Sequence, residues 1–110
     1  MASNVTTSRR ELHALLVEIL GSRNVYFQPP ESLKIQYPCI VYERSDIRNT
    51  DASNDVYLQH YTYQITVIDP DPDSDIPQKL SKRIECRFLR HFASNGLNHD
   101  VFRCIVQYKS

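Results

Sequence analysis

Asp69, Asp71 and Asp73 are spaced as oxygen ligands at the first, third and fifth positions of a calcium-wrapping loop. The rest of such a loop is missing. Its sixth position is Ser74 where a glycine makes the sharp turn, its twelfth is Leu80 where a bidentate glutamate belongs, and Pro70 and Pro72 resist wrapping. The triplet is therefore expected to be a solvated strand-to-helix connector. Cys86, His91, His99 and Cys104 are residue types that hold zinc, but their Cys-x4-His-x7-His-x4-Cys spacing lacks the tight two-cysteine knuckle of a structural site. They read as core thiols and half-exposed imidazoles.

Nucleophilic catalysis has no better footing. None of the ten serines sits in a G-x-S-x-G elbow. Cys39 follows Pro38 inside an apolar run, where burial raises a thiol pKa and removes the reactive thiolate. Gly21 and Gly96 are too few and too isolated to build a phosphate-cradling loop. These patterns lead us to expect no catalytic residues, no metal, no cofactor and no enzymatic activity.

The elements that carry these residues belong to a chain of 110 residues with 13 Lys plus Arg against 13 Asp plus Glu, a formal net charge of zero. That length and a hydrophobic fraction of 41% suit a single domain over residues 1–110 with one two-layer core. Three cysteines without a C-x-x-C pair argue for reduced thiols. No apolar run approaches the ~20 residues of a membrane span, and Met1 to Arg10 lacks the apolar centre of a secretory signal. Folding in a cytoplasm, away from membranes, is the expectation.

A capping box, Ser8-Arg9-Arg10-Glu11, opens a helix in which Leu12, Leu15, Leu16, Ile19 and Leu20 share one face and Gly21 supplies the stop. The helix should span Arg9 to Leu20, and residues 1–7 should be flexible. Asn24 to Phe27 reads as a short or edge strand before Pro29-Pro30, and Cys39 to Arg44 as a second strand. Residues 45–55 are nearly free of apolar side chains and rich in Asx and Ser, which predicts a long polar loop that, as a binding element, would offer Arg48 with Asn49 and Asn54 to a partner or to passing nucleic acid. Tyr57 to Asp69 alternates, with Tyr57, Tyr61, Tyr63, Ile65 and Val67 on one face and His60, Thr62, Gln64 and Thr66 mostly on the other.

Asp75 is the natural N-cap of a second helix of about ten residues, with Ile76, Leu80 and Ile84 as its buried stripe. A terminal hairpin follows, from Phe88 through the Ser94-Asn95-Gly96 turn to a strand in which Phe102, Cys104, Val106 and Tyr108 share a face. The order α-β-β-β-α-β-β predicts an α+β fold with two helices packed on one face of a mainly antiparallel sheet. Charge is unevenly spread along it: four aspartates lie within residues 69–75, and Lys79, Lys82, Arg83, Arg87 and Arg90 follow with only Glu85 between them. Helix-dipole compensation accounts for part of this layout. Self-complementarity is the functional reading, with Asp69, Asp71 and Asp73 of one subunit facing Lys79, Lys82 and Arg83 of the next in a head-to-tail ring.

Several segments together, Tyr26 to Ser32, Tyr37 to Tyr42, Tyr63 to Asp69 with Asp71 to Ser74, and Leu97 to Phe102, resemble the small tail completion or tail terminator proteins of long-tailed bacteriophages. The resemblance spans roughly residues 9–108 and carries no catalytic signature; the candidate surfaces it implies are the polar loop around Arg48 and Asp51 and the acidic connector at Asp69, Asp71 and Asp73. It implies a ring, commonly a hexamer, that caps the finished tail tube and offers a joint to the head. The partners it implies are other copies of the chain, the major tail tube protein, the head completion or connector protein, and double-stranded DNA in transient, sequence-independent passage. The place it implies is the virion tail, after assembly in the host cytoplasm. A second reading, from the residues alone, is a small cytoplasmic module that holds a ligand or single-stranded nucleic acid on exposed tyrosines at 57, 61 and 63.

Overall fold

Leu12, Leu16 and Ile19 recur at intervals of four and three, so a helix stacks them on one stripe, and all three are buried in α1 (Arg9–Leu20). The computed structural model describes residues 9–52 and 56–109, so Ser8 of the capping box and the segment 1–7 lie outside the described residues. Gly21 ends α1 at φ +81°, and its N–H donates to the Val17 carbonyl at 2.9 Å. After β1 (Val25–Phe27) come two strands of 14 residues each, β2 (Cys39–Ala52) and β3 (Val56–Asp69). α2 (Ile76–Arg83) leads to the terminal hairpin of β4 (Cys86–Ser94) and β5 (Leu97–Lys109). Its turn places Asn95 at φ +53° and Gly96 at φ +76°, the paired left-handed residues that match strand twist.

The strands form one sheet in the order β1-β2-β3-β5-β4, with β1 parallel to β2 and every other pair antiparallel. Both helices lie on one face, as the element order predicts. There Ile40, Tyr42, Tyr63, Ile65, Val67, Phe102, Cys104 and Val106 meet the α1 stripe together with Ile76, Leu80 and Ile84. The alternation of β3 places Tyr63, Ile65 and Val67 in this core and Thr62, Gln64 and Thr66 on the opposite face.

Two local expectations are corrected. Residues 45–52 are not loop: β2 and β3 pair from Asp46 opposite Thr62 to Ala52 opposite Val56, and only 53–55 fall outside the described residues. The polar composition misleads because this part of the sheet has no helix over it, so the strand needs no apolar face and is held by its ladder. Asp75 does not cap α2 through its side chain; the Ser74 hydroxyl accepts the Ile76 N–H at 3.3 Å, and the Asp75 carboxylate pairs with Lys79 at 3.3 Å. α2 is eight residues long, with Ile84 already extended and its N–H donating to Leu80 at 2.9 Å.

At the upper end of the helical layer a fully buried tyrosine ties α1 to the sheet. The Tyr42 hydroxyl accepts from Arg9 Nη1 at 3.0 Å and lies 2.7 Å from His13 Nδ1. Burial pushes the Tyr42 pKa up, so its hydroxyl keeps the proton it shares with His13. Burial, and then the Arg9 charge, lower the His13 pKa and keep the imidazole neutral as the acceptor.

Leu16→Ala should cost about 2–5 kcal/mol by opening a cavity under α1, and Tyr42→Phe about 1 kcal/mol, both read from urea unfolding midpoints at unchanged slope. A depressed folded-state pKa gives His13 a stability contribution that is complete above its unfolded value of 6.5 and is lost as pH falls towards the folded value. His13→Gln should therefore flatten the loss of stability between neutral and mildly acidic pH relative to the parent protein.

Candidate functional site

The acidic connector is folded on itself. Asp69 accepts the Asp71 N–H and Asp71 accepts the Asp73 N–H, each at 2.9 Å, two successive Asx turns. Asn98 pins the start of this segment by donating to the carbonyls of Asp69 at 3.1 Å and Pro70 at 3.3 Å. Two of the three connector carboxylates thus hold the chain's own turns, while Asp73 projects into solvent. Among the described residues no group of three or more His, Cys, Asp or Glu converges as a metal site would require. The zinc-type residues have local partners: Cys86 stands opposite Cys104, His91 pairs with Asp100 at 2.7 Å, and His99 stacks on Phe92 with centroids 4.5 Å apart.

The basic candidates divide similarly. Lys79 binds Asp75, and Arg83 reaches across to Glu18 of α1 at 3.3 Å, a surface pair that links the two helices. Lys82 is exposed and, like Asp73, makes no ion pair among the described residues. Arg48 lies far from these, on β2 and on the sheet face without helices. Asp51 stands opposite Tyr57 on the same hairpin, and its side chain lies outside the described residues. The eight candidates therefore occupy separate regions and do not form one site.

Sequence reasoning missed two larger features. β2 and β3 span about 46 Å at about 3.3 Å per residue, whereas the 12 residues of α1 reach about 18 Å. From Asp46, Thr62 and Ile105 outward the three strands β2, β3 and β5 continue as an arm; Val106 on its helix side is still buried in the core, no helix among the described residues extends over the rest, and the molecule measures 52 × 32 × 23 Å. Ile47 and Ile105 are 47% and 44% exposed on opposite faces of this arm. The second feature is β4, an edge strand exposed from Arg87 to Ser94 and carrying Phe88, Leu89 and Phe92 at 53%, 41% and 41% exposure. The run Cys86-Arg87-Phe88-Leu89-Arg90-His91-Phe92 holds the signal for it, since its apolar residues do not alternate cleanly and a register shift lies between Phe88 and Arg90.

The tyrosine platform of the single-strand reading is not available as a set. Tyr63 is fully buried, Tyr61 is half-buried beneath the Arg44 guanidinium, 4.8 Å from its ring centre, and the side chain of Tyr57 lies outside the described residues. No helix among the described residues is long and apolar enough to cross a membrane.

Burial pushes the thiols of Cys39 and Cys104 up to about 12 and raises that of Cys86. Iodoacetamide at mildly alkaline pH should leave Cys39 and Cys104 unlabelled in the native protein and label all three in urea, as read by intact mass. Rapid native labelling of either buried thiol would mean a reactive environment that this packing does not provide.

No protein family description matches the sequence, and no curated protein matches it. Among solved structures, the chain is similar to one from the virion of a native gene transfer agent particle, at 16% identity and a TM-score of 0.38, covering 86% of this chain and 85% of that one.

Proposed function

We propose that this protein is a virion structural subunit, a tail terminator or tail completion protein that closes into a ring at the end of a tail tube, stops its growth and forms the joint to the head. The observation that carries the reading is a fold left unfinished on two sides. Ile47 and Ile105 of the arm are exposed with no helix of the described residues over them, and β4 presents aromatic and arginine side chains along the sheet edge, the composition of a protein interface core. The arm and the β4 flank are different patches, so contacts between copies that use them are head-to-tail and close only as a ring.

Asp73 and Lys82 add charges of opposite sign that have no ion-pair partner among the described residues. They are the members of the acidic connector and basic helix best placed to meet a neighbouring copy. The resemblance of Tyr26 to Ser32, Tyr37 to Tyr42 and Leu97 to Phe102 to tail terminator proteins supplies the rest of the reading: a six-fold ring as the common form, the major tail tube protein below and the head connector above. Residence in the virion tail after assembly in the host cytoplasm follows from the same likeness. The role requires no bond-making step, only interface geometry. The competing module for single-stranded nucleic acid loses its stacking platform with the burial of Tyr63.

Mass measurement of the purified protein with and without tail tubes tests the proposal. A ring-sized species recruited to tube ends, together with arrest of tube lengthening, is the expected result. Tubes that neither recruit the protein nor stop lengthening in its presence would overturn it.

A further inference from the structure

Strand pairing brings together two cysteines that are far apart in sequence. Cys86, the first residue of β4, stands directly opposite Cys104 of β5. Residues opposite each other in a ladder share a face, and this pair lies on the helical side: Cys104 belongs to the core and Cys86 packs against it. The turn of the hairpin fixes what kind of pair they form. A two-residue turn is closed by a hydrogen-bonded pair, here Ser94 with Leu97, so along β5 the backbone groups of Leu97, His99, Val101 and Arg103 point to β4 and those of Asn98, Asp100, Phe102 and Cys104 point to β3. The bulge at Leu89 adds its extra residue to β4 and leaves this alternation of β5 intact. Cys86 and Cys104 are therefore a non-hydrogen-bonded pair, in which Cα atoms approach to about 4.5 Å and side chains stand closest. That spacing falls within the roughly 4.4–6.8 Å that a disulfide bridges.

The third cysteine is out of reach of this pair. Cys39 stands opposite Ile68, five residues or about 16 Å along β3 from Tyr63, the β3 partner of Cys104. It also precedes the core residue Ile40, so it faces the other side of the sheet. All three are thiols in this structure, but the two members of the pair differ in exposure, Cys104 being fully buried and Cys86 half-buried. Burial pushes the Cys104 thiol up to about 12; it raises the Cys86 thiol as well, but the Ser81 hydroxyl of α2 opposes that rise. A dissolved reagent meets Cys86 first. Cys104 needs no access of its own, because it reacts with Cys86.

We infer that Cys86 and Cys104 are a thiol–disulfide exchange pair, oxidised by a small-molecule disulfide of the glutathione type to a cross-strand bridge that fastens the edge strand β4 to β5. The Cys86 thiolate attacks one sulfur of the small disulfide, forms a mixed disulfide and expels one small thiolate. Cys104 gives its proton to that thiolate and attacks the Cys86 sulfur, and the second small thiolate leaves with the proton that Cys86 had lost. Two protein thiols are oxidised and one small disulfide is reduced to two thiols. Among the described residues β4 pairs with no strand but β5, and the bridge closes the end of the hairpin away from the Asn95-Gly96 turn, so that the strand is held at both ends. The inference stands on the hairpin alone and takes nothing from the tail role.

The test incubates the full chain, reduced and freed of reductant, with oxidised glutathione in native buffer at mildly alkaline pH, followed by acid quenching, unfolding, alkylation, intact mass and peptide mapping. The expected product is a monomer that has lost two hydrogens, carries an alkyl group on Cys39 alone and yields a peptide linking Cys86 to Cys104. It should melt about 5 °C or more above the reduced protein, and dithiothreitol should restore both the thiols and the lower melting temperature. Cys104→Ala should stop at one glutathionyl group on Cys86, whereas Cys86→Ser should take up no glutathione and keep its melting temperature in the oxidant. Should Cys104→Ala fail to fold, Cys86→Ser, at a half-buried position, carries the comparison with the parent. Three alkylated thiols in the parent after incubation, a parent that stops at the mixed disulfide, a link to Cys39 or to a second chain, or a bridged protein that melts no higher than the reduced one would overturn the inference.

Discussion

The fold depends on how the buried hydroxyl of Tyr42 is satisfied where the helical layer ends. A phenol in an apolar core without a partner costs several kcal/mol on transfer scales that offer no hydrogen bond, roughly 4 or more. Here Arg9 and His13, one turn apart on α1, supply the donor and the acceptor. That bond fixes the height at which α1 sits along β2, and with it which strand rows are covered. Arg9 also lies 4.4 Å from the Phe27 ring centre, and Arg44 spans Phe27, Tyr61 and Tyr63 on the other side of the junction. Below this aromatic and cationic seam the sheet carries the helices; above it Val106 is still buried, and no helix of the described residues extends over the strands beyond.

The side-chain period of two then divides the functions. Residues facing the helices must be apolar from Ile40 to Tyr42 and from Tyr63 to Val67, while their neighbours on the other face are free to be chosen for contact. A slip of one residue would exchange the faces, placing Arg103 in the core and Cys104 outside. Register is held by the two-residue Asn95-Gly96 turn and by the bulge between Arg44 and Asp46, where the Ser45 hydroxyl donates to the Thr62 carbonyl at 3.2 Å. The bulge also alters the local twist at the point where the arm departs from the covered sheet.

Much of this was legible because it depends on local rules. The α1 stripe, the Gly21 stop, the Ile76, Leu80 and Ile84 spacing, and the alternation from Tyr61 to Val67 each follow from a period or a cap that a short window contains. Residues 45–52 were not legible, because a strand with no helix of the described residues over it needs no apolar rhythm and its Asx and Ser residues mimic a turn. Asp75 looked like the cap, but Ser74, one residue earlier, takes that bond and frees the aspartate for Lys79. Net charge carries no positional information for a different reason. It is a sum over the chain, whereas the electrostatic surface depends on which strand positions share a face, and Arg87 and Arg103 become neighbours only through the β4–β5 pairing.

An exposed edge such as β4 invites open-ended pairing with other chains, and the same features that make it an interface limit that hazard. Its bulge at Leu89 breaks the ladder geometry that another strand would need, and Arg87 and Arg90 place like charges opposite each other in any symmetric edge-to-edge contact. A head-to-tail contact escapes both penalties, since it brings side-chain faces of different patches together without requiring a continuous ladder. The arm is subject to the complementary constraint. Held by backbone pairing with little burial, it is among the least costly parts of the sheet to open, and a neighbour that covers Ile47 or Ile105 stabilises the arm as it forms the contact. In the proposed ring, such a contact would couple assembly to the stability of the arm.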